Sequence, residues 1–263
     1  MKRFFKRIYN IFVNLGIDFR KFLMSMKGLP AYIKSYFAFR KSGSNNKNDF
    51  EHRIFFPCLA DRYESSGTAK GHYFHTDLLI AKKIFTANPQ KHVDIGSRID
   101  GFIAHVASFR EIEVFDIREL KSSEPNIIFK RHDFTNINPE LKEYCDSISS
   151  LHAIEHFGLG RYGDEPDANG HLKGLANIYS ILKSGGIFYF AVPIGPQRIE
   201  FNAHRVFSLQ YLLNYFEGKY RIKSFAFIND NGELFETETM TEEMIVSNCN
   251  CFYGCGIFEL IKL

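Results

Sequence analysis

Acids, a glycine and several histidines fall along residues 92–205 where the ends of strands would carry reactive side chains. The stretch His92-Val93-Asp94-Ile95-Gly96-Ser97-Arg98-Ile99-Asp100-Gly101 is an apolar run that reaches an acid and then a glycine, and an apolar-periodic segment, 102–109, follows it. That pattern predicts a buried strand turning abruptly into a helix. Gly96 lets the backbone approach a ligand closely, and the helix start offers unpaired N–H groups. A diphosphate is repelled by a carboxylate at Asp94, so the corner suits a ligand carrying positive charge better than a dinucleotide. Gly96-Ser97-Arg98 also lacks the Gly-x-Gly-x-x-Gly spacing that a pyrophosphate needs, which disfavours a nicotinamide dehydrogenase. The plain alternative is a tight corner with no ligand.

Two more acids sit at comparable places. Asp116 ends the apolar run 112–115, and Asp133 follows the run 127–129. One carboxylate can accept from both hydroxyls of a ribose, because it has two acceptor oxygens. Asp133 with Phe134 suits an adenine, the acid accepting from the exocyclic amine while the ring packs on the base.

His152, His156 and His204 compete for the role of base towards an alcohol, for which an imidazole of near-neutral pKa is the usual choice. His156 and His204 rank ahead of His152, and a hydrogen-bonded structural histidine is the alternative for each. Glu155, Arg161, Asp164 and Arg205 are candidates for gripping a polar acceptor. No metal site is expected. The loop Asp164-Glu165-Pro166-Asp167 with His171 offers oxygen ligands but reads as a solvated acidic loop. Cys249-x-Cys251-x3-Cys255 is spaced too irregularly for zinc and reads as buried thiols.

The elements that must position these groups alternate. A helix is expected from an N-cap at Thr76 over 77–85, then strands ending at Asp94 and Asp116, a third over 127–129 and a fourth over 147–151. A helix over 172–182 is expected to stop at Gly185-Gly186, and a fifth strand, 187–192, at Pro193. Ser208 should cap a helix ending at Gly218. Residues 221–228, the turn 229–232 and a last strand over 252–261 predict an antiparallel closure. The fold expected is α/β and Rossmann-like, mostly parallel with an antiparallel C-terminal strand, with ligands at the carboxyl ends of the strands.

The chain has 263 residues, of which 45% are hydrophobic and 28 are Phe, enough for a sizeable core. Its net charge of +3 hides an asymmetry: residues 1–48 hold eleven Lys or Arg against the single acid Asp18, a balance of +10 that leaves −7 on the rest. Such an arm on an acidic body does not fit nucleic-acid binding across a domain face. The domains expected are a basic amphipathic helical extension, 1–48, closed by the polar linker 43–49, and a body, 49–263. Phe4, Ile8, Phe12 and Leu15 recur at helical spacing, and apolar positions continue to Phe37. Residues 1–40 therefore read as a helix lying on an anionic membrane surface, or as a lid packed on the core. Five cysteines with no secretory signal and no apolar run near the roughly 20 residues of a spanning helix suggest a cytoplasmic protein, with the arm on the inner membrane face.

With the strand-end acids, the Lys183-Ser184-Gly185-Gly186 corner and the antiparallel ending, residues 75–262 resemble a class I S-adenosylmethionine-dependent methyltransferase. Where that family usually continues Gly-x-Gly, this chain has Gly96-Ser97-Arg98. The runs 93–98, 150–164 and 201–207 look like an uncharacterised, methyltransferase-like domain-of-unknown-function family of bacteria and nematodes, associated in bacteria with surface-polysaccharide genes. The resemblance implies S-adenosylmethionine as cofactor, with Asp94, Gly96, Ser97 and Arg98 around its methionine part, Asp116 on the ribose, and Asp133 and Phe134 on the adenine. It places the methyl group and a small-molecule or glycan acceptor near 152–164. A scaffold protein of the same fold without methyl transfer is the rival reading.

Overall fold

The computed structural model describes residues 8–9, 11–42, 56–237 and 239–263; the expected linker 43–49 and Phe4 lie outside them. The chain divides into two compact units, Met1–Thr68 and Ala69–Leu263. In the first, the dominant element is helix α1, Phe19–Ser42, with Pro30 inside it. Asp18, the single acid of the basic segment, stands at its start, accepting from Lys21 N at 3.0 Å and from the Tyr9 hydroxyl at 2.7 Å. Phe22, Leu23, Met26, Ile33 and Phe37 are exposed. No helix among the described residues is long and apolar enough to cross a membrane.

The second unit is built on one eight-stranded sheet. Its strands are β1 (His92–Ile95), β2 (Ile112–Asp116), β3 (Ile127–Arg131), β4 (Cys145–Leu151), β5 (Leu182–Ile194), β8 (Tyr220–Ile228), β9 (Leu234–Thr237) and β10 (Gly254–Lys262). The spatial order is β3-β2-β1-β4-β5-β10-β8-β9. The first five strands pair in parallel, and β10 runs antiparallel between β5 and β8. This is the mostly parallel, Rossmann-like sheet with an antiparallel C-terminal strand expected from the alternating pattern. Two buried apolar clusters carry it, one around Ile148, Phe188, Phe190 and Phe258, the other around Ile80, Phe102, Ile112 and Ile257. Strands β1, β4 and β10 between them are buried along most of their length. Strand order reverses between β1 and β4, the place where open α/β sheets leave a crevice at their carboxyl ends.

The helices are α2 (His72–Ala87), α3 (Ala104–Ala107), α4 (Gly170–Ile181), α5 (Leu209–Phe216) and α6 (Glu242–Ser247). Ser208 caps α5 as expected, accepting from Tyr211 N. Thr76 does not cap α2. The helix begins four residues earlier, after Gly71 at φ 94°, and Thr76 is fully buried inside it. The helix expected at 102–109 is a wide turn, Ile99–Ile103, that leads into one short turn of α3, because Gly101 leaves helical geometry. Helix α4 stops at Ile181 rather than at the glycines. Residues 183–186 instead form a bulge of β5, which pairs Leu182 with Cys145 and resumes at Ile187 opposite Ser147.

Pro193 does not end β5, which continues to Ile194 beside β10. The turn 229–232 joins β8 to the short β9, so the last strand is reached only after α6. A small ribbon, β6 (Arg198–Glu200) with β7 (His204–Val206), has no counterpart in the sequence expectations.

Strand β4 carries three serines in a fully buried setting, and their partners explain them. Ser147 and Ser149 hold the two ring nitrogens of His92 at 2.8 and 3.1 Å. Ser149 also donates to Asp94 at 2.5 Å, and Ser97 donates to Asp94 through its hydroxyl at 2.7 Å and its backbone N–H at 2.9 Å. Burial pushes the Asp94 carboxyl up to about 7 despite these donors. Its folded pKa therefore lies above its unfolded value, so its contribution to stability is greatest at low pH and is lost as pH rises through the interval from 3.8 to about 7. In urea unfolding, wild type is expected to lose stability relative to Asp94→Asn across that interval. Asp94→Ala, which strands the two serine hydroxyls, is expected to cost about 2–4 kcal/mol.

Candidate functional site

At the carboxyl ends of β1–β4 lies a cavity of about 290 Å³. β1 contributes Ile95, Gly96 and Arg98; β2 contributes Phe115, Asp116, Ile117 and Arg118. The segment after β3 adds 132–135, and the loop after β4 adds His152, Ala153, His156, Phe157, Arg161, Tyr162 and Asp164, with Tyr73 from α2. Gly96 has φ +73°, and a Cβ there would stand 3.0 Å from that of Ala153. The corner thus needs glycine both for its dihedral and for the close approach of the β4 loop.

Of the residues expected around the cofactor, Gly96, Arg98, Asp116, Asp133 and Phe134 line this cavity. Asp94 and Ser97 do not. They lie fully buried beneath the corner and are spent on each other, on Ser149 and on Leu151 N, which donates to Ser97 Oγ at 3.1 Å. Arg98 is paired with the exposed Asp100 through two hydrogen bonds and lies over the Tyr73 ring at 4.9 Å. Asp133 is held by Thr135 and by the Asn136 amide. Phe134 stands edge-on to Phe115 and is 3% exposed.

Asp116 has a partner the sequence reading missed. Arg118 donates to it from its backbone N–H at 2.8 Å, from Nε at 3.1 Å and from a terminal nitrogen at 2.7 Å, and its guanidinium stacks on Tyr162. The spacing alone, an arginine two residues past a strand-end acid, could have signalled this fork.

The three histidines separate. His156 lines the cavity, and its Nδ1 donates to the Ala203 carbonyl at 2.6 Å, which leaves the lone pair on Nε2, 3.8 Å from Glu155 Oε1. Burial lowers its pKa from the ordinary imidazole value. His152 borders the cavity at φ 55°, with Nδ1 3.3 Å from Glu155 and Nε2 3.4 Å from the Cys255 sulfur. Burial opposes its charging, yet the Cys255 sulfur and Glu155 hold its pKa well above the usual value. His204, on β7, lies outside the cavity wall, packed on the Tyr253 ring, with Nε2 3.7 Å from Glu200 and not hydrogen-bonded.

Among the residues expected to grip an acceptor, Arg161 and Asp164 line the cavity. Arg161 donates to the Ala203 carbonyl at 2.9 Å, and Asp164 accepts the backbone N–H groups of Gly160 and Tyr162. Glu155 and Arg205 are behind the wall. Arg205 is 4% exposed and donates to the carbonyls of Glu155, Phe157, Asp167 and Ala168, so it clamps the loop after β4. The loop closes on itself at Gly158, where a Cβ would meet the Asp167 carbonyl at 2.1 Å. In the acidic loop, Asp167 pairs with Lys173, and His171 shares a hydrogen bond with Tyr211.

Residues 106–250, more than half of the chain, match the family model described as Caenorhabditis protein of unknown function, DUF268. The chain belongs to this family. No curated protein matches the sequence. Solved structures similar to this DUF268 chain include a protein from Listeria monocytogenes assigned as an S-adenosylmethionine dependent methyltransferase. It has 13% identity and a TM-score of 0.44 over 72% of this chain and 99% of that one. The N-methyltransferase NodS from Bradyrhizobium japonicum, in complex with S-adenosyl-L-homocysteine, has 9% identity and a TM-score of 0.47 over 73% and 88%. The [4+2]-cyclase SpnF has 12% identity and a TM-score of 0.49 over 81% and 85%. Identities this low do not say which residue does what.

The two arginines behind and within the wall are expected to behave differently. Arg205→Ala removes a buried guanidinium that donates to four loop carbonyls and should cost about 2–4 kcal/mol in urea unfolding, whereas Arg161→Ala should stay within about 1 kcal/mol of wild type.

Proposed function

We propose that this chain is an S-adenosylmethionine-dependent methyltransferase acting on a hydroxyl of a sugar, sugar nucleotide or glycan. The observation that carries the reading is the cavity at the strand-order reversal, with Gly96, Asp116, Asp133 and Phe134 in one wall. The residues fit such a nucleoside. Asp116 offers two acceptor oxygens to a ribose diol, once Arg118 yields them. Asp133 and Phe134 offer an acceptor and an apolar ring to the base, and Gly96 leaves backbone exposed to the methionine part.

When bound, S-adenosylmethionine supplies a methyl group already activated by its sulfonium. The chain's own task is then alignment and proton handling, and alignment alone contributes several kcal/mol in such displacements. His156 is the base this reading favours. Its Nδ1 is fixed by the Ala203 carbonyl, its Nε2 is free to take a proton, and its lowered pKa keeps it neutral near pH 7. Arg161, Tyr162 and Asp164 supply the polar wall suited to a hydroxyl-rich acceptor, in keeping with the surface-polysaccharide association of the resemblance.

Asp116→Ala is expected to abolish binding of S-adenosylhomocysteine in calorimetry. His156→Gln should leave that affinity unchanged and lower turnover by about 10²-fold or more. The wild-type rate should rise with pH through a midpoint below the ordinary imidazole value and then stay flat, since His156 works deprotonated and its pKa is depressed. A chain that binds the nucleoside yet methylates no carbohydrate would instead support the scaffold reading.

The finer assignment of place rests on α1, which sets exposed Phe22, Leu23, Met26, Ile33 and Phe37 among six Lys and Arg. An aromatic, basic helix of this kind suits an anionic bilayer surface. The full chain should sediment with phosphatidylserine vesicles at low salt, and serine at positions 22, 23 and 37 should leave it in the supernatant.

A further inference from the structure

Three side chains far apart in sequence meet beside the cavity. His72 opens α2, His152 follows β4, and Cys255 is the second residue of β10. One donor atom from each lies within 4.8 Å of the others. We propose that His72, His152 and Cys255 are the protein ligands of a single zinc ion. The reading is independent of the methyltransferase assignment.

The distances suit the ion. Zinc sits about 2.3 Å from sulfur and about 2.0–2.1 Å from nitrogen, so tetrahedral angles set sulfur and nitrogen about 3.6 Å apart. His152 Nε2 and Cys255 Sγ are already 3.4 Å apart. The His72 ring stacks on that of His152, with centroids at 5.4 Å and an 8° interplanar angle, so binding would require the His72 side chain to turn its ring until its nitrogen points at the ion.

Each ligand also has the outer partner that metal-bound groups have. Metal-ligating histidines present their second nitrogen to a carboxylate or a backbone carbonyl, which fixes the tautomer and the ring. His152 turns Nδ1 to Glu155 at 3.3 Å, and His72 reaches the Tyr253 carbonyl. The Cys255 sulfur has the Thr76 hydroxyl at 3.8 Å. Thr76 is 0% exposed, which accounts for a threonine inside α2 where the sequence suggested a cap.

The setting of Glu155 favours positive charge here. Glu155 is 2% exposed, and its Oε2 has no hydrogen-bond partner. Its Oε1 faces the imidazoles of His152 and, at 3.8 Å, His156, and the carboxylate also accepts its own backbone N–H. An isolated buried carboxylate is costly unless a positive charge stands close. His152 is held at φ 55°. A non-glycine residue there is strained by about 1–3 kcal/mol, and such strain persists where the surroundings require the side chain in one place.

The donor set selects the metal. Two imidazoles and a thiolate suit zinc and exclude magnesium and calcium, which take oxygen ligands. Three protein ligands leave a fourth position for water or another ligand atom.

The test uses the full chain, stripped by chelation and titrated with Zn²⁺ against a chromophoric chelator, then with Co²⁺ by absorption spectroscopy. One equivalent of Zn²⁺ should bind, and Co²⁺ should give a thiolate-to-cobalt band in the near ultraviolet. Cys255→Ser should abolish that band, while Cys58→Ser and Cys249→Ser should retain it. His72→Asn should weaken Zn²⁺ binding at least about tenfold, in line with the loss of a ligand or its outer partner. His72 is only half-buried, so this variant decides the matter if Cys255→Ser fails to fold. Wild type that binds neither ion more tightly than His72→Asn would overturn the proposal and leave a buried thiol–imidazole hydrogen bond. A cobalt band that survives Cys255→Ser and vanishes in Cys249→Ser would overturn it equally, by placing the metal elsewhere.

Discussion

The carboxylate of Asp94 is buried completely, and the carboxyl end of the sheet is arranged around satisfying it. A carboxyl group in such a place is tolerated only when its oxygens are fully engaged. Ser97 and Ser149 engage them, so β1, the corner after it and β4 are tied at one point. The tie continues through Ser97 to the Leu151 N–H and through Ser149 to His92. Because β1 and β4 flank the reversal of strand order, this polar seam holds open the crevice in which the cavity lies. Gly96 can keep its left-handed dihedral there because the residues on both sides are pinned.

A second seam fixes the other wall. The loop from His152 to Ala168 has little regular structure, and a loop of that kind ordinarily runs over the surface because its carbonyls need partners. Arg205 supplies several of them from one planar fork, a task its five donors suit and a lysine's point charge does not. The ribbon that carries Arg205 also brings the Ala203 carbonyl to His156 and Arg161. Residues 198–206 therefore position the loop without lining the cavity.

Much of this was legible in the sequence and some was not, for identifiable reasons. The alternation of apolar runs with capped helices fixed the parallel sheet, and the strand-end positions of Asp116 and Asp133 placed them in the wall. Asp94 reads identically in sequence, yet it is buried beneath the corner: its partners are Ser97 and, more than fifty residues on, Ser149 of β4, and only the folded register shows that Ser149 is buried beside it. Arg205 looked like a ligand-gripping residue because an arginine beside histidines is charged and chemically versatile. Its actual partners are backbone carbonyls, which carry no sequence signature. Thr76 failed for a similar reason, since a threonine before an apolar run has the composition of a cap and only its neighbour Cys255 shows that it is interior. The Cys255, His72 and His152 cluster had no spacing to reveal it, because its members come from three distant elements.

The Arg118 fork bears on how strongly a nucleoside could bind. Asp116 is only 12% exposed, and without a ligand its carboxylate would be left half-desolvated; Arg118 fills that role. The guanidinium itself is 52% exposed. An ion pair with one partner so open to solvent is worth about 1 kcal/mol or less. Hydrogen bonds from neutral donors to a charged acceptor are worth about 1.5–3 kcal/mol each, and a ribose diol supplies two. The guanidinium itself makes two hydrogen bonds to Asp116, so the exchange of Arg118 for a diol replaces two hydrogen bonds with two and is close to balanced. On this accounting the arginine would act as a placeholder that covers the carboxylate, and its presence across Asp116 does not count against the nucleoside binding proposed above.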